Sequence, residues 1–324
     1  MNKSYSKQIS NREVNGSVNA AQTKGVLSPE GKLRTNLSAT VDLRKNENLE
    51  HNSSMIKNHK NKQNINREVN GNVNAAQTKN DVRELLHAAE QGDAFAQFNL
   101  GLMYATGDGV PKDSAKAAYW CRKAAEQGEA HAQSMLGVMY VEGRGVTKDY
   151  AKAVKWFRKA AEQGEALAQF NLGGMYYKDN GVPQDYAEAV KWYRKAAEQG
   201  FARAQFMLGN MYFVGEGVRK NFAEAGKWYR LAAEQGDADA QFILGGIYYV
   251  GEAVRKNSAE AVKWLRKAAE QGYADAQFIL GGMYHHGDGV RKNSAEAVKW
   301  SRLAAEQGDD YLQDICKFGL ECAA

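Results

Sequence analysis

The string Ala-Glu-Gln-Gly begins at Ala89, Ala125, Ala161, Ala197, Ala233, Ala269 and Ala305, a period of 36 residues kept without insertion or deletion. All six tryptophans, Trp120, Trp156, Trp192, Trp228, Trp264 and Trp300, keep the same register. A fixed period of this size constrains the fold strongly, because a unit so short cannot bury its apolar face alone and must stack on its neighbours. The length of 324 residues agrees, being long for a single compact core but natural for an array that adds core unit by unit.

Each unit divides into two helical stretches punctuated by glycine. In the second, Glu129 to Val141 predicts helix A, Glu142 to Asp149 a turn, and Tyr150 to Gln163 helix B, closed by Gly164 as a left-handed cap. Helix A sets Ala132, Leu136 and Tyr140 at i, i+4 and i+8 beside Met139, and Gly137 is small enough for close helix contact. Helix B carries Ala151, Val154, Trp156, Ala160 and Ala161, with Lys152, Lys155, Arg158 and Lys159 pointing away and Arg158 spaced to pair with Glu162.

The pattern A-x-A-Q-x-x-L-G-x-M-Y, then G-x-G-V, then A-x-A-x-x-W-x-R-x-A-A-E-Q-G, resembles the Sel-1-like repeat family, relatives of tetratricopeptide repeats, over residues 81 to about 318. The resemblance implies an all-α, right-handed superhelical solenoid of six 36-residue helix-turn-helix repeats. It also implies a non-enzymatic scaffold or adaptor, often in bacterial signalling or host contact. The expected domains are a disordered tail over 1–79 and a solenoid over 80–324, made of a starter helix 81–92, six repeats over 93–308 and a terminal capping helix 309–324. Asp81 and Glu84 are spaced like a capping box for the starter.

Six copies in one chain can be compared with each other. On helix A the drifting positions are Phe95, His131, Leu167, Arg203, Asp239 and Asp275; then Asn99, Met135, Asn171, Met207, Ile243 and Ile279; then Leu102, Val138, Gly174, Asn210, Gly246 and Gly282. Separations of four and three residues put these columns on one helical face, continued one turn later by Ala105 to His285 and Thr106 to His286. If the A helices line the inner curve, as the resemblance implies, this strip is an exposed concave surface, and its side chains are the candidate contacts for a protein or peptide partner.

The net charge of +5 is unevenly placed: residues 1–79 hold 13 Lys+Arg and 6 Asp+Glu, the remainder 30 and 32. The repeat region is therefore near neutral, and no broad attraction to nucleic acid is expected of it. The tail is rich in Asn, Lys, Ser and Gln and holds no Trp or Phe, a composition that predicts disorder. It presents one segment twice, NREVNGSVNAAQTK at Asn11–Lys24 and NREVNGNVNAAQTK at Asn66–Lys79, as either a doubled linear motif or a neutral duplication. No run of about 18 apolar residues predicts a membrane span and no leader is visible, so the cytoplasm is the expected compartment, with leaderless export left open.

Little catalytic chemistry is legible, and no cofactor or metal is expected. The turns Gly107-Asp-Gly, Gly143-Arg-Gly, Gly215-Glu-Gly and Gly287-Asp-Gly lack the Gly-Lys-Ser/Thr and the strand of a phosphate loop. Adjacent His285 and His286 point about 100° apart on a helix, poor geometry for one metal. Cys121, Cys316 and Cys322 have no regular spacing, and Cys121 falls in a packing column with Phe157, Tyr193, Tyr229, Leu265 and Ser301. Cysteine-rich relatives are described as binding or hydrolysing β-lactams, which is the alternative function, but this chain lacks a cysteine pair in each unit.

Overall fold

The computed structural model describes residues 75–251 and 254–307, which form thirteen α-helices and no strand. A starter helix, α1 (Ala75–Glu90), precedes six antiparallel pairs: α2 (Ala94–Thr106) with α3 (Ser114–Glu126), α4 (Ala130–Glu142) with α5 (Tyr150–Glu162), α6 (Ala166–Lys178) with α7 (Tyr186–Glu198), α8 (Ala202–Val214) with α9 (Phe222–Glu234), α10 (Ala238–Val250) with α11 (Ser258–Glu270), and α12 (Ala274–His286) with α13 (Ser294–Ala305). The even-numbered helices are the A helices and the odd-numbered ones from α3 the B helices. The array is an all-α solenoid.

One expected boundary changes. The starter begins at Ala75 instead of 81, so the last five residues of the second duplicated segment are helical and Asp81 lies within the helix instead of capping it. Ala-Ala-Gln-Thr-Lys holds no glycine or proline, and it runs in phase with the helix that follows. The first copy of the segment, the tail over 1–74 and the expected capping helix 309–324 lie outside the described residues.

Helix ends follow local chemistry. Each B helix is capped by Asp113, Asp149, Asp185, Asn221, Asn257 or Asn293, whose side chain accepts from amides of the first turn. The same six residues donate their backbone N–H to Tyr104, Tyr140, Tyr176, Tyr212, Tyr248 and Tyr284, closing each turn onto the end of its A helix. A helices end in the left-handed conformation at Gly107, Gly143, Gly215, Gly251 and Gly287, and Asp179 takes φ 57° where the glycine is missing. That is why the irregular turn at 179–181 is tolerated.

Within a repeat, helix A meets helix B at the glycine expected to allow close contact. A Cβ on Gly137 would stand 2.6 Å from the Phe157 ring, on Gly173 2.9 Å from Tyr193, and on Gly101 2.6 Å from Cys121 Sγ. Trp120 on α3 packs in one cluster with Leu85 and Leu86 of the starter helix and Leu100 of α2. On α5 the buried positions are Ala153, Val154, Phe157, Ala160 and Ala161, whereas Ala151 is exposed, one position off the expected stripe.

A hydrogen-bonded line of amides runs along the seam. Gln97, Gln133, Gln169, Gln205, Gln241 and Gln277 are buried, and each donates Nε2 to a carbonyl eight residues back, as Gln133 does to Ala125 at 3.0 Å. Each also accepts, at 2.7–2.9 Å, from the glutamine of the Ala-Glu-Gln-Gly string one turn of the array later, as Gln133 does from Gln163. A buried amide left unpaired costs about 1–3 kcal/mol, so the ladder fixes one relative placement of successive repeats.

Candidate concave interface

The drifting columns were expected to form an exposed strip, and the structure overturns that for ten of the eighteen residues in the three columns. Leu102, Met135, Val138, Leu167, Asn171, Gly174, Met207, Asn210, Ile243 and Gly246 are buried, Met135 to 2% exposure. Each A helix is held between its own B helix and that of the preceding repeat, so the middle column faces protein instead of solvent. Met135 Sδ lies 3.7 Å from Cys121 Sγ, and Asn210 Oδ1 accepts a 2.8 Å hydrogen bond from Tyr229 Oη. Drift in these columns is a change of packing partner.

Eight reach solvent: Phe95 (52% exposed) and His131 are exposed, and Asn99, Arg203, Asp239, Asp275, Ile279 and Gly282 are partly so. His131, Arg203 and Asp239 bridge repeats. The His131 ring stacks on Phe98 with centroids 6.0 Å apart, and its Nδ1 stands 3.8 Å from the Glu165 carboxylate that caps α6. The hydrogen bond to Glu165 raises the His131 pKa above its ordinary value. Arg203 Nη1 lies 2.5 Å from Asp239 and 3.4 Å from Asp237, with the guanidinium over the Phe206 ring. Burial pushes the Asp237 carboxyl upward against the pull of Arg203.

A column that barely drifts lies beside these residues: Phe98, Phe170, Phe206, Phe242 and Phe278, with Ser134 in the second repeat. Aromatic residues preceding the next A helix stack on it, Phe201 on Phe170 at 5.2 Å and Tyr273 on Phe242 at 4.6 Å. One turn further, Tyr177 donates to Glu216 at 3.0 Å, Phe213 is buried and Val214 is exposed. His285 and His286 are exposed with rings 4.9 Å apart, and among the described residues no three His, Cys, Asp or Glu side chains group as metal ligands would.

Two further expectations are settled by contacts. Arg158 does not pair with Glu162; it donates to the Tyr176 hydroxyl of the next repeat at 2.6 Å. The same bond joins Arg122 to Tyr140, Arg194 to Tyr212, Arg230 to Tyr248 and Arg266 to Tyr284. Cys121 is buried, and desolvation holds its thiol up at about 12, so it is a packing residue with no thiolate to offer.

The Sel1 repeat family matches six consecutive windows, 94–129, 130–165, 166–201, 202–237, 238–273 and 274–309. The chain belongs to the Sel1 repeat family. Among solved structures it is similar to c5321, a protective antigen present in uropathogenic Escherichia coli strains displaying an SLR fold, at 41% identity and TM-score 0.72. That match covers 78% of this chain and 52% of c5321, so the chain spans about half the length of that relative. A Sel1 repeat protein from Oxalobacter formigenes is 36% identical at TM-score 0.63, covering 71% of this chain and 92% of its own. Among curated proteins none matches by sequence. Sel1 repeats generally serve as non-enzymatic scaffolds for protein interaction, and among the described residues no helix is long and apolar enough to cross a membrane.

Proposed function

We propose that this Sel1 repeat protein is a non-enzymatic adaptor that holds a protein or peptide against the accessible part of its A-helix face. The observation that carries the reading is the contrast within one column. Phe95, His131, Arg203, Asp239 and Asp275 succeed one another in the same register and differ in chemistry, while the glutamine, tryptophan and glycine positions around them repeat. A surface graded from aromatic to acidic along a constant frame can recognise one partner by sequence of contacts. The aromatic end, around Phe95, supplies the apolar anchor and the far end the carboxylates.

Affinity capture from native extract tests this, with full-length protein beside a Phe95→Asp, Ile279→Asp variant and beside a chain lacking residues 1–74. Loss of a specific partner in the variant, with an unchanged helical spectrum, is the expected result; capture that persists in the variant but disappears with the tail would move the function to the tail. Met135, Met207 and Ile243 are unsuitable for this purpose, since an aspartate there would enter the core. The cytoplasm is the compartment we infer from cysteine usage, and the standing of c5321 as an antigen makes export the competing outcome of cell fractionation.

A further inference from the structure

We propose that the turn edge of repeats four to six is a docking ridge for an extended, acidic polypeptide segment, separate from the A-helix face. The turns from helix A to helix B change character half-way along the array. In the first three repeats they read Pro111-Lys112-Asp113, Thr147-Lys148-Asp149 and Pro183-Gln184-Asp185; in the last three, Arg219-Lys220-Asn221, Arg255-Lys256-Asn257 and Arg291-Lys292-Asn293. An arginine is gained and a carboxylate lost together, three times in succession.

Neither change serves the fold. Asn221 caps α9 through bonds of 3.1 Å to Ala223 and Glu224, just as Asp113 caps α3 at 3.0 Å to Ala115 and Lys116, and the two residue types are equivalent as caps. Arg219, Arg255 and Arg291 are exposed, and among the described residues none lies within ion-pair distance of a carboxylate. Lys220 and Lys256 lean over aromatic rings, Lys220 on Phe222 at 4.6 Å and Lys256 on Tyr249 at 5.4 Å, and remain exposed. What the triple substitution alters is charge. A neutral cap also leaves the positive end of each B-helix dipole unanswered by its cap.

Carboxylates do stand nearby, at Glu224, Glu260 and Glu296, but they turn along their helices. They pair with Lys227 at 2.6 Å, Lys263 at 3.6 Å and Lys299 at 3.7 Å, and the last two also accept from the indoles of Trp264 and Trp300. The positive line is therefore narrow, bordered by Glu224, Glu260 and Glu296 on the helix side and by Glu216 and Asp288 earlier in the turns. At its far end Gly289 packs against the backbone of Ser258, so the turn holding Arg291 and Lys292 rests on the residue that follows Asn257.

Charge selects the occupant. An extended chain of polyproline type rises about 3.1 Å per residue with three residues per turn, so an acidic residue at every third position returns to one face about every 9 Å. Such a chain offers carboxylates one after another along a narrow line, and the forked guanidinium groups of Arg219, Arg255 and Arg291 suit carboxylates. A nucleic acid, broader and more densely charged, would press its phosphates on the bordering glutamates.

The test uses the full chain and a fluorescent peptide of repeating Pro-Pro-Glu, followed by anisotropy across a salt series. Binding that weakens with salt and falls at least about 10-fold in the R219T/R255T/R291T variant is expected, threonine being the residue at 147. The control K155T/K191T/K263T, which removes exposed cations from the B helices, should stay within about twofold. An affinity unchanged by the arginine substitutions, or equal losses in both variants, would overturn the proposal. So would preferred, arginine-dependent binding of single-stranded RNA or of anionic phosphatidylserine vesicles.

Discussion

Gln133 and His131 stand two residues apart on the same helix and behave in opposite ways. Gln133 is repeated in every unit, buried, and bonded both to Ala125 and to Gln163. The position of His131 holds five residue types in six units, and His131 itself is exposed and leans on one carboxylate of the next repeat. The seam between repeats tolerates a single chemistry because each group there has two partners, while the rim tolerates many because solvent can replace what is lost. Inter-repeat geometry and surface chemistry are thus set by different residues, and an array of this kind can change its recognition without altering its curvature.

The sharpest way to break this contrast is a small change on the seam. Gly217 has φ +68°, and a Cβ there would fall inside the carbonyl group of Tyr186 in the preceding repeat; Gly236 has φ +96° and open space. Gly236→Ala should cost about 1 kcal/mol from backbone conformation alone. Gly217→Ala should cost about 3 kcal/mol, since packed backbone must also shift. Urea unfolding of the two variants side by side reads the difference, and equal losses would mean that the turn is not part of the seam.

Next in size is Gln133→Leu, which keeps volume but leaves the Ala125 carbonyl without its partner. A loss of about 2–3 kcal/mol is expected, against less than about 0.5 kcal/mol for His131→Ala on the exposed side. With roughly 2–4 °C per kcal/mol for an array of this size, thermal melting separates them.

The period, the left-handed glycine after each B helix from α3 to α11, the close approach at Gly137 and the packing role of Cys121 were legible from local rules, whereas the cap expected at Asp81 was not, because the helix starts earlier. The burial of Met135, Met207 and Ile243 was not. Variation was read as freedom from packing, yet Met135 varies opposite Cys121, and Asn210 opposite Tyr229, as matched pairs across helices. No single-helix pattern reveals a partner fourteen or more residues away in another column. The glutamine ladder hid for the converse reason: Gln133 and Gln163 were both visible as constant letters, but their 30-residue separation gives no hint that they touch.

A third substitution tests whether the frame is optimised where it is constant. Ala118, Val154, Val190, Val262 and Val298 share a column on helix B that holds Gly226 in the fourth repeat. A Cβ at Gly226 would meet nothing within 4 Å, and its φ is not positive. Gly226→Ala should therefore stabilise the protein by about 0.5–1 kcal/mol through helix propensity, the opposite sign to Gly236→Ala. A loss of stability there would mean that the glycine serves a contact outside this chain.

The smallest effect lies on the rim and depends on pH. The Glu165 carboxylate raises the pKa of His131 in the folded state above its ordinary value of 6.5. A group whose pKa is raised on folding stabilises most when protonated in both states, so the contribution is fully present below about pH 6.5 and is lost as pH climbs through the higher folded value. His131 is half exposed, which screens the pair and limits the shift to on the order of 1 °C. The melting temperature of wild type minus that of His131→Gln should be positive at pH 5.5 and vanish by pH 8.5. A difference that grew with pH would reverse the sign of the His131–Glu165 interaction, and one that stayed constant would make the ring's stacking on Phe98, not its charge, what joins the second repeat to the first.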